Sequence, residues 1–282
     1  MKIIAESGST KTVWVLLDEN NMEVWRRSSI GLNPFFVDSE EVSSVFKEMI
    51  ETESIDQIND IYFYGASCSS PERNLRISKG INAIASNTLV TVNHDLLAAA
   101  RALCGKNAGI ACILGTGSNS CEYDGDQIID NVPSMGFMIG DEGSGSSIGR
   151  RLVRSWIYRE MPAELVKEFT NAFDITKESV LTSLYDKEKP NKFLASLSRF
   201  CIGHMEHPLI QEILAESFKE FIDRHVSKYR SAKQVPVNFV GSIAFHYREV
   251  LKQELEKADM TLGLIIQSPI DELVSYHCQN EV

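Results

Sequence analysis

The chain has 282 residues, 43% hydrophobic and 24% charged, with a net charge of −11; that length allows two domains, each with its own core, and the acidic balance argues against nucleic acid or an anionic membrane as the main partner. No apolar run approaches the roughly 18 residues that span a bilayer, and the chain opens on a strand-like segment in place of a signal peptide's apolar region. Six scattered cysteines, Cys68, Cys104, Cys112, Cys121, Cys201 and Cys278, contain no Cys-x-x-Cys pair, so a cytoplasmic protein with mostly buried thiols and no zinc or redox motif is expected.

Residues 2–5 are a short apolar strand, followed by Glu6-Ser7-Gly8-Ser9-Thr10-Lys11-Thr12 and a second strand over 13–17. Residues 22–29 read as a third strand across the turn 19–21. In Gly31-Leu32-Asn33-Pro34-Phe35-Phe36, Pro34 disfavours helix at Asn33, which by itself reads as a turn asparagine. Ser39 suits an N-cap, and Val42, Val45, Phe46, Met49 and Ile50 share one helical face. A strand at 61–64 ends in Gly65-Ala66-Ser67; a helix over 71–85 and a strand over 89–92 follow. That strand ends in Asn93-His94-Asp95, and Leu96, Leu97, Ala99, Ala100 and Leu103 continue at helical spacing. Asp95 therefore stands at the carboxyl edge of a strand, where ligands of open α/β sheets collect. It reads either as an N-cap or as a general base, with His94 the rival for the second role.

The second half repeats the organisation, with little residue-by-residue identity. Residues 110–114 form an apolar run that breaks into Gly115-Thr116-Gly117-Ser118-Asn119-Ser120. Glycines let such a turn come close to a ligand, and its hydroxyls and successive N–H groups make an anion cradle. One such turn could be an ordinary hairpin; a copy at the start of each half suggests a nucleotide site. Strands over 121–123 and 128–132 precede a loop with four glycines and two acids, Gly136-Phe137-Met138-Ile139-Gly140-Asp141-Glu142-Gly143-Ser144-Gly145. The acids either orient sugar hydroxyls or a hydrated Mg²⁺, or merely lie in a connection leading to a helix over 146–158. Residues 162–199 read as several helices of an inserted subdomain, punctuated by Gly203. A long amphipathic helix over 209–229, a strand over 236–240, Gly241-Ser242-Ile243-Ala244, a helix over 246–258, a strand over 262–267 and a helix over 270–277 complete the chain.

These stretches together resemble the BadF/BadG/BcrA/BcrD-type ATPase family, and within it the N-acetylglucosamine kinases, of the actin / sugar kinase / heat-shock chaperone superfamily. The similarity covers nearly the whole chain. It implies an α/β protein of two duplicated ribonuclease H-like (actin-like ATPase) domains, each β-β-β-α-β-α-β-α, around a central ATP/sugar cleft. Residues 1–108 would form the N-terminal domain with the sugar side and catalytic base, and 109–282 the C-terminal domain with a helical insertion at about 160–200.

Glu6 to Thr12 matches the family's first phosphate motif, with Ser7 and Ser9 where glycines are common and Glu as the acid. Gly115 to Asn119 matches the second phosphate motif, Gly140-Asp141-Glu142-Gly143-Ser144 the Gly-Asp-Glu-Gly-Ser signature, and Gly241-Ser242 the adenosine motif. Ser134-Met135-Gly136-Phe137 departs from the family, which often has Trp there. The resemblance implies ATP and Mg²⁺ as cofactors and Asp95 as catalytic base. It places ATP on Ser9, Thr10, Lys11, Gly115, Thr116, Gly117, Gly203, Gly241 and Ser242, and the sugar on Asn33, Asp95, Ser118, Asn119, Gly136 and Asp141. Glu6 and Asp141 would orient the metal. A kinase acting on the 6-hydroxyl of N-acetylglucosamine or a related amino sugar follows, with a homodimer suggested by family members, which are often dimers. The alternatives are an ATPase activator of a radical dehydratase or reductase, whose iron–sulfur cluster needs convergent thiolates, and a non-catalytic sugar or nucleotide sensor.

Overall fold

The computed structural model describes residues 1–8, 10–50, 55–185 and 189–279. The chain forms two compact units, Met1–Gly105 with Pro269–Val282, and Lys106–Ser268.

In the first unit, β1 (Lys2–Ser7), β2 (Lys11–Leu17) and β3 (Glu23–Ile30) form an antiparallel meander. Next come α1 (Ser39–Met49), β4 (Asp60–Gly65), α2 (Pro71–Asn82), β5 (Leu89–His94) and α3 (Asp95–Cys104). The sheet order is β3-β2-β1-β4-β5, with β1, β4 and β5 parallel. Ile3, Ala5, Trp14 and Leu16 are fully buried, and the Trp14 ring tilts against Phe46 of α1 and Phe63 of β4, 5.6 and 5.7 Å between centroids. A large aromatic core of this kind supplies most of the burial that stabilises a small sheet. The cap of α1 is Asp38, whose carboxylate accepts from the Glu40 and Glu41 amides; Ser39, the expected cap, is the first helical residue and donates to the Arg76 carbonyl. Carboxylate acceptors compete well for these orphan amides.

The second unit begins with β6 (Gly109–Leu114), β7 (Ser118–Tyr123) and β8 (Ile128–Asp130), again an antiparallel meander. The loop 131–144 leads into α4 (Gly145–Ile157). Three helices, α5 (Ala163–Phe173), α6 (Lys177–Tyr185) and α7 (Pro190–Leu197), occupy the stretch expected to be a helical insertion. A 3-10 segment at Ser198–His204 precedes α8 (Pro208–Arg224). Strand β9 (Val237–Val240), α9 (Ser242–His246), α10 (Arg248–Lys257) and β10 (Leu262–Ile266) complete the unit. Its sheet order, β10-β9-β6-β7-β8, is the first unit's order read from the other edge. The helix expected over 246–258 is α10, and the short α9 precedes it; the chain breaks between them at Tyr247, whose buried hydroxyl donates to the Ser198 carbonyl.

The last helix, α11 (Ile270–Gln279), packs on α3 and β1 of the first unit, although the sequence assigned everything from 109 onward to the second domain. Ile270, Leu273 and Tyr276 are buried there. Lys2 Nζ donates to the His277 carbonyl at 3.1 Å, and the Tyr64 hydroxyl lies 2.8 Å from His277 Nε2. Among the described residues no helix is long and apolar enough to cross a membrane.

Candidate active site

The parallel strands of the first unit carry one group of the candidate residues. Pairing sets Ser7 beside Gly65 and Gly65 beside His94, so the residues around all three strand ends share the carboxyl edge of the sheet. His94 occupies the cap position of α3 without a side-chain capping bond, and burial lowers its pKa. Asp95 is thus inside the first turn, where a negative charge suits the helix dipole. Its carboxyl is half-buried and is pushed up to about 6 by desolvation, with the Leu96 amide and its own amide pulling the other way. Glu6, at the end of β1, is pushed up to about 7, first by burial and then by the charge of Asp95, while Lys11 opposes the rise. The fold has brought two carboxylates close enough to resist sharing two charges.

The first turn is held from behind by hydroxyls. Thr12 Oγ1 donates to the Ile30 carbonyl, Ser7 Oγ bonds Thr12 Oγ1 at 2.8 Å and accepts from the Leu32 amide, and the Gly8 amide donates to the Lys11 carbonyl. Ser7 is a buried member of this chain of bonds. Thr10 and Lys11 are exposed at the turn, and Ser9 lies outside the described residues. Asn33 is buried; its Oδ1 accepts from the Phe35 amide and its Nδ2 donates to Ser67 Oγ at 3.2 Å.

In the second unit the glycine turn and the acidic loop meet. Gly115 N donates to the Gly117 carbonyl, and the turn's carbonyls receive the first amides of α4, Gly145 N on Gly115 O at 2.8 Å and Ser146 N on Thr116 O at 3.2 Å. Asp141 Oδ1 accepts from the Ser118 amide at 3.2 Å and from Ser134 Oγ at 2.8 Å. A Cβ on Gly117 would sit 2.9 Å from Asp141 Oδ2, so only glycine lets the carboxylate lie this close. Burial raises the Asp141 pKa, against the hydrogen bonds from Ser134 and Ser118. Ser118 Oγ is buried without a hydrogen-bond partner; an orphaned hydroxyl at such a point calls for a ligand or solvent partner. Asn119 uses its Oδ1 on the Ser120 amide and Asn131 Nδ2. Gly136, with φ +74°, accepts the Gly140 amide at 2.7 Å and closes the loop that carries Asp141.

Gly241 adopts φ +123°, and a Cβ there would lie 2.3 Å from the Leu114 carbonyl oxygen; the residue is glycine because β6 ends against it. Ser242 beside it is exposed at the start of α9. Gly203 stands apart from these residues, in an open groove with Glu168, Phe173, Phe200 and His204. Two contributions escaped the sequence. Ser134, seven residues before Asp141, fixes that carboxylate, and no spacing rule relates two positions of a loop. The closeness of Glu6 and Asp95 depends on the register of three strands.

The family described as the BadF/BadG/BcrA/BcrD ATPase family matches residues 6–274, and no curated protein matches the sequence. Among solved structures, a candidate N-acetylglucosamine kinase from Porphyromonas gingivalis is 39% identical with a TM-score of 0.94, all of both chains being covered. A candidate N-acetylglucosamine kinase from Chromobacterium violaceum is 14% identical, with a TM-score of 0.75 over 98% of each chain. A ROK family glucokinase from Streptomyces griseus, in complex with glucose and AMPPNP, is 13% identical, with a TM-score of 0.58 over 98% of this chain and 97% of its own. The last two likenesses establish shared fold. The α/β class with two duplicated actin-like ATPase domains, expected from the sequence, is borne out. Since the family match spans nearly the whole sequence and the 39% identical structure covers all of it, the chain belongs to the BadF/BadG/BcrA/BcrD ATPase family.

Proposed function

We propose that this family member is an ATP-dependent sugar kinase that phosphorylates the 6-hydroxyl of N-acetylglucosamine or a related amino sugar. The observation that carries the reading is Asp95, a carboxylate at the end of a parallel strand whose pKa lies near 6 and whose neighbour is Glu6. A general base works best when its pKa is close to the operating pH. Asp95 accepts the proton of the sugar hydroxyl as that oxygen attacks the γ-phosphorus. Ser118 Oγ, buried and unpartnered, takes a sugar hydroxyl, with Asn33, Asn119, Gly136 and Asp141 completing the sugar contacts. The turns around Thr10 and Gly115-Thr116-Gly117 hold phosphates through backbone amides, and Gly241-Ser242 approaches the nucleoside. The Porphyromonas gingivalis relative, named for N-acetylglucosamine, ranks that sugar first.

Residues present fit Mg²⁺, which binds through one or two carboxylates together with phosphates and waters. Glu6 resists ionisation because it is buried and faces the charge of Asp95, and a cation relieves both penalties. When bound with ATP the ion would neutralise charge on the transferring phosphoryl group, and Glu6 and Asp141 would be the carboxylates that orient it.

The test is coupled ADP release with Mg-ATP over N-acetylglucosamine, glucosamine, N-acetylmuramic acid and unsubstituted hexoses, with the product's phosphate located by NMR. Sugar-dependent release and a 6-phosphate support the proposal and name the acceptor. Release indifferent to every sugar moves the protein to the ATPase activators, and sugar binding without release makes it a sensor.

A further inference from the structure

Asp141 and Glu142 are adjacent in sequence and point to opposite sides of their loop. Positive φ angles at Asp141 (+60°) and Gly143 (+74°) bracket Glu142. Asp141 faces Ser118 and Ser134, as described above. Glu142, only 6% exposed, faces the C-terminal turn of α8, with Oε2 3.1 Å from His225 Nε2 and Oε1 3.6 Å from Arg224 Nε. Burial acts to raise the Glu142 carboxyl, but the hydrogen bond and charge of His225, with Arg224, outweigh it and hold it below its ordinary value. His225 is itself 4% exposed; its ring stacks on Phe221 at 5.2 Å, and its Nδ1 lies 3.3 Å from the Val132 carbonyl. Arg224 continues to Glu220 at 2.9 Å, Glu220 to Arg151 of α4 at 2.8 Å, and Arg151 to Glu216 at 2.7 Å. Helix α8 therefore fastens both the acidic loop and the helix that follows it.

Apolar packing holds the loop at Gly143, which lies against Phe221 of α8, and leaves the Glu142 side to polar contacts. The α8 side of the loop borders a cavity of about 310 Å³ lined by Ser134, Met135, Ile139, Glu142, Arg224 and His225, and the Met135 and Ile139 side chains are 68% and 74% exposed. A buried pair of this type adds little net stability but fixes one arrangement, because displacing either partner leaves the other desolvated.

We propose that His225, through Glu142, is a positioning residue that sets the direction of Asp141 toward the glycine turn and hence the sugar. The inference rests on the sugar-kinase reading for its kinetic consequence, and on geometry alone for its structural one. His225→Phe keeps the ring on Phe221 and removes both nitrogen contacts. Hydrogen exchange of the intact protein then reads the loop directly. The amides of Ser144, Gly145 and Ser146, which donate to Asp141, Gly115 and Thr116, should exchange at least about tenfold faster, while those of β6 and β9 stay protected. Unchanged exchange at these three amides overturns the proposal whatever the reaction is. If His225→Phe does not fold, His225→Gln, which retains one donor, decides by the same amides: they should exchange faster than in the parent, and unchanged exchange overturns the proposal.

Where the wild type shows sugar-dependent turnover, His225→Phe should raise the sugar KM about tenfold with kcat little changed. That increment should vanish in an Asp141→Asn background, because both substitutions remove one function. Additive effects would overturn the proposal. A wild type without sugar-dependent turnover sinks the kinase reading alone, and the exchange result still decides the role of His225.

Discussion

At the residue scale the site is governed by one pair, Glu6 and Asp95. The place of Asp95 was legible because a β-branched run, then Asn93-His94-Asp95, then apolar residues at helical spacing mark a strand edge and a helix start. Its coupling to Glu6 was not, since the two meet only through the pairing of β1 with β4 and β4 with β5. The pair has a consequence for stability. Glu6 rises from its ordinary value of 4.5 to about 7 in the folded chain, so between those values the folded state holds the proton that the unfolded state releases. Folding stability therefore falls as pH climbs from 4.5 to 7, and the loss is complete above that window. Glu6→Gln removes it: without ligand, the variant should melt above the parent at pH 8, with the gap closing as pH drops toward 4.5. Melting curves across that range check this, and a gap independent of pH would contradict the coupling. In the proposed catalysis the other member of the pair acts oppositely, and kcat/KM should decline on the acid side of about pH 6 as Asp95 takes up its proton.

At the scale of elements, both glycine–hydroxyl turns and the acidic loop could be placed directly, because glycines with hydroxyls after a short apolar run mark a tight turn. The supports of those elements could not. Ser134 holds Asp141 within one loop, α4 gives its first amides to Gly115 and Thr116, and α8 grips Glu142, the last two being contacts between distant parts of the second unit. Caps and breaks were legible only to within a residue or two, as with Asp38 in place of Ser39 and the interruption at Tyr247, since neighbouring polar residues compete for the same orphan amides. The junction of β6 with β9 depends on Gly241. Gly241→Ala adds a Cβ 2.3 Å from the Leu114 carbonyl at a positive φ, so a loss of about 1–3 kcal/mol is expected in denaturant unfolding. A variant as stable as the parent would show that the backbone here is not constrained.

At the scale of the whole molecule, duplication is visible in topology far more than in sequence. Both units have a central strand flanked by an antiparallel meander on one side and two parallel strands on the other. The alternation of strands and helices announced that repeat; which unit claims the last helix could not be read, because an amphipathic segment states that it must bury a face and not where. Removing residues 269–282 should uncover β1 and α3. The segment takes with it Ile270, Leu273 and Tyr276, apolar side chains whose burial stabilises by about 1.5–3 kcal/mol each. Hydrogen exchange should then accelerate through β1 and α3 while α8 stays protected; equal protection in both units would contradict the placement of α11. The central claim is that Asp95 deprotonates the sugar hydroxyl. Its most direct test compares kcat and sugar Kd for the parent and Asp95→Asn with Mg-ATP at pH 7.5. The expected result is a kcat lower by roughly 10²–10⁴-fold with Kd changed little, and near-full turnover in the variant would contradict it.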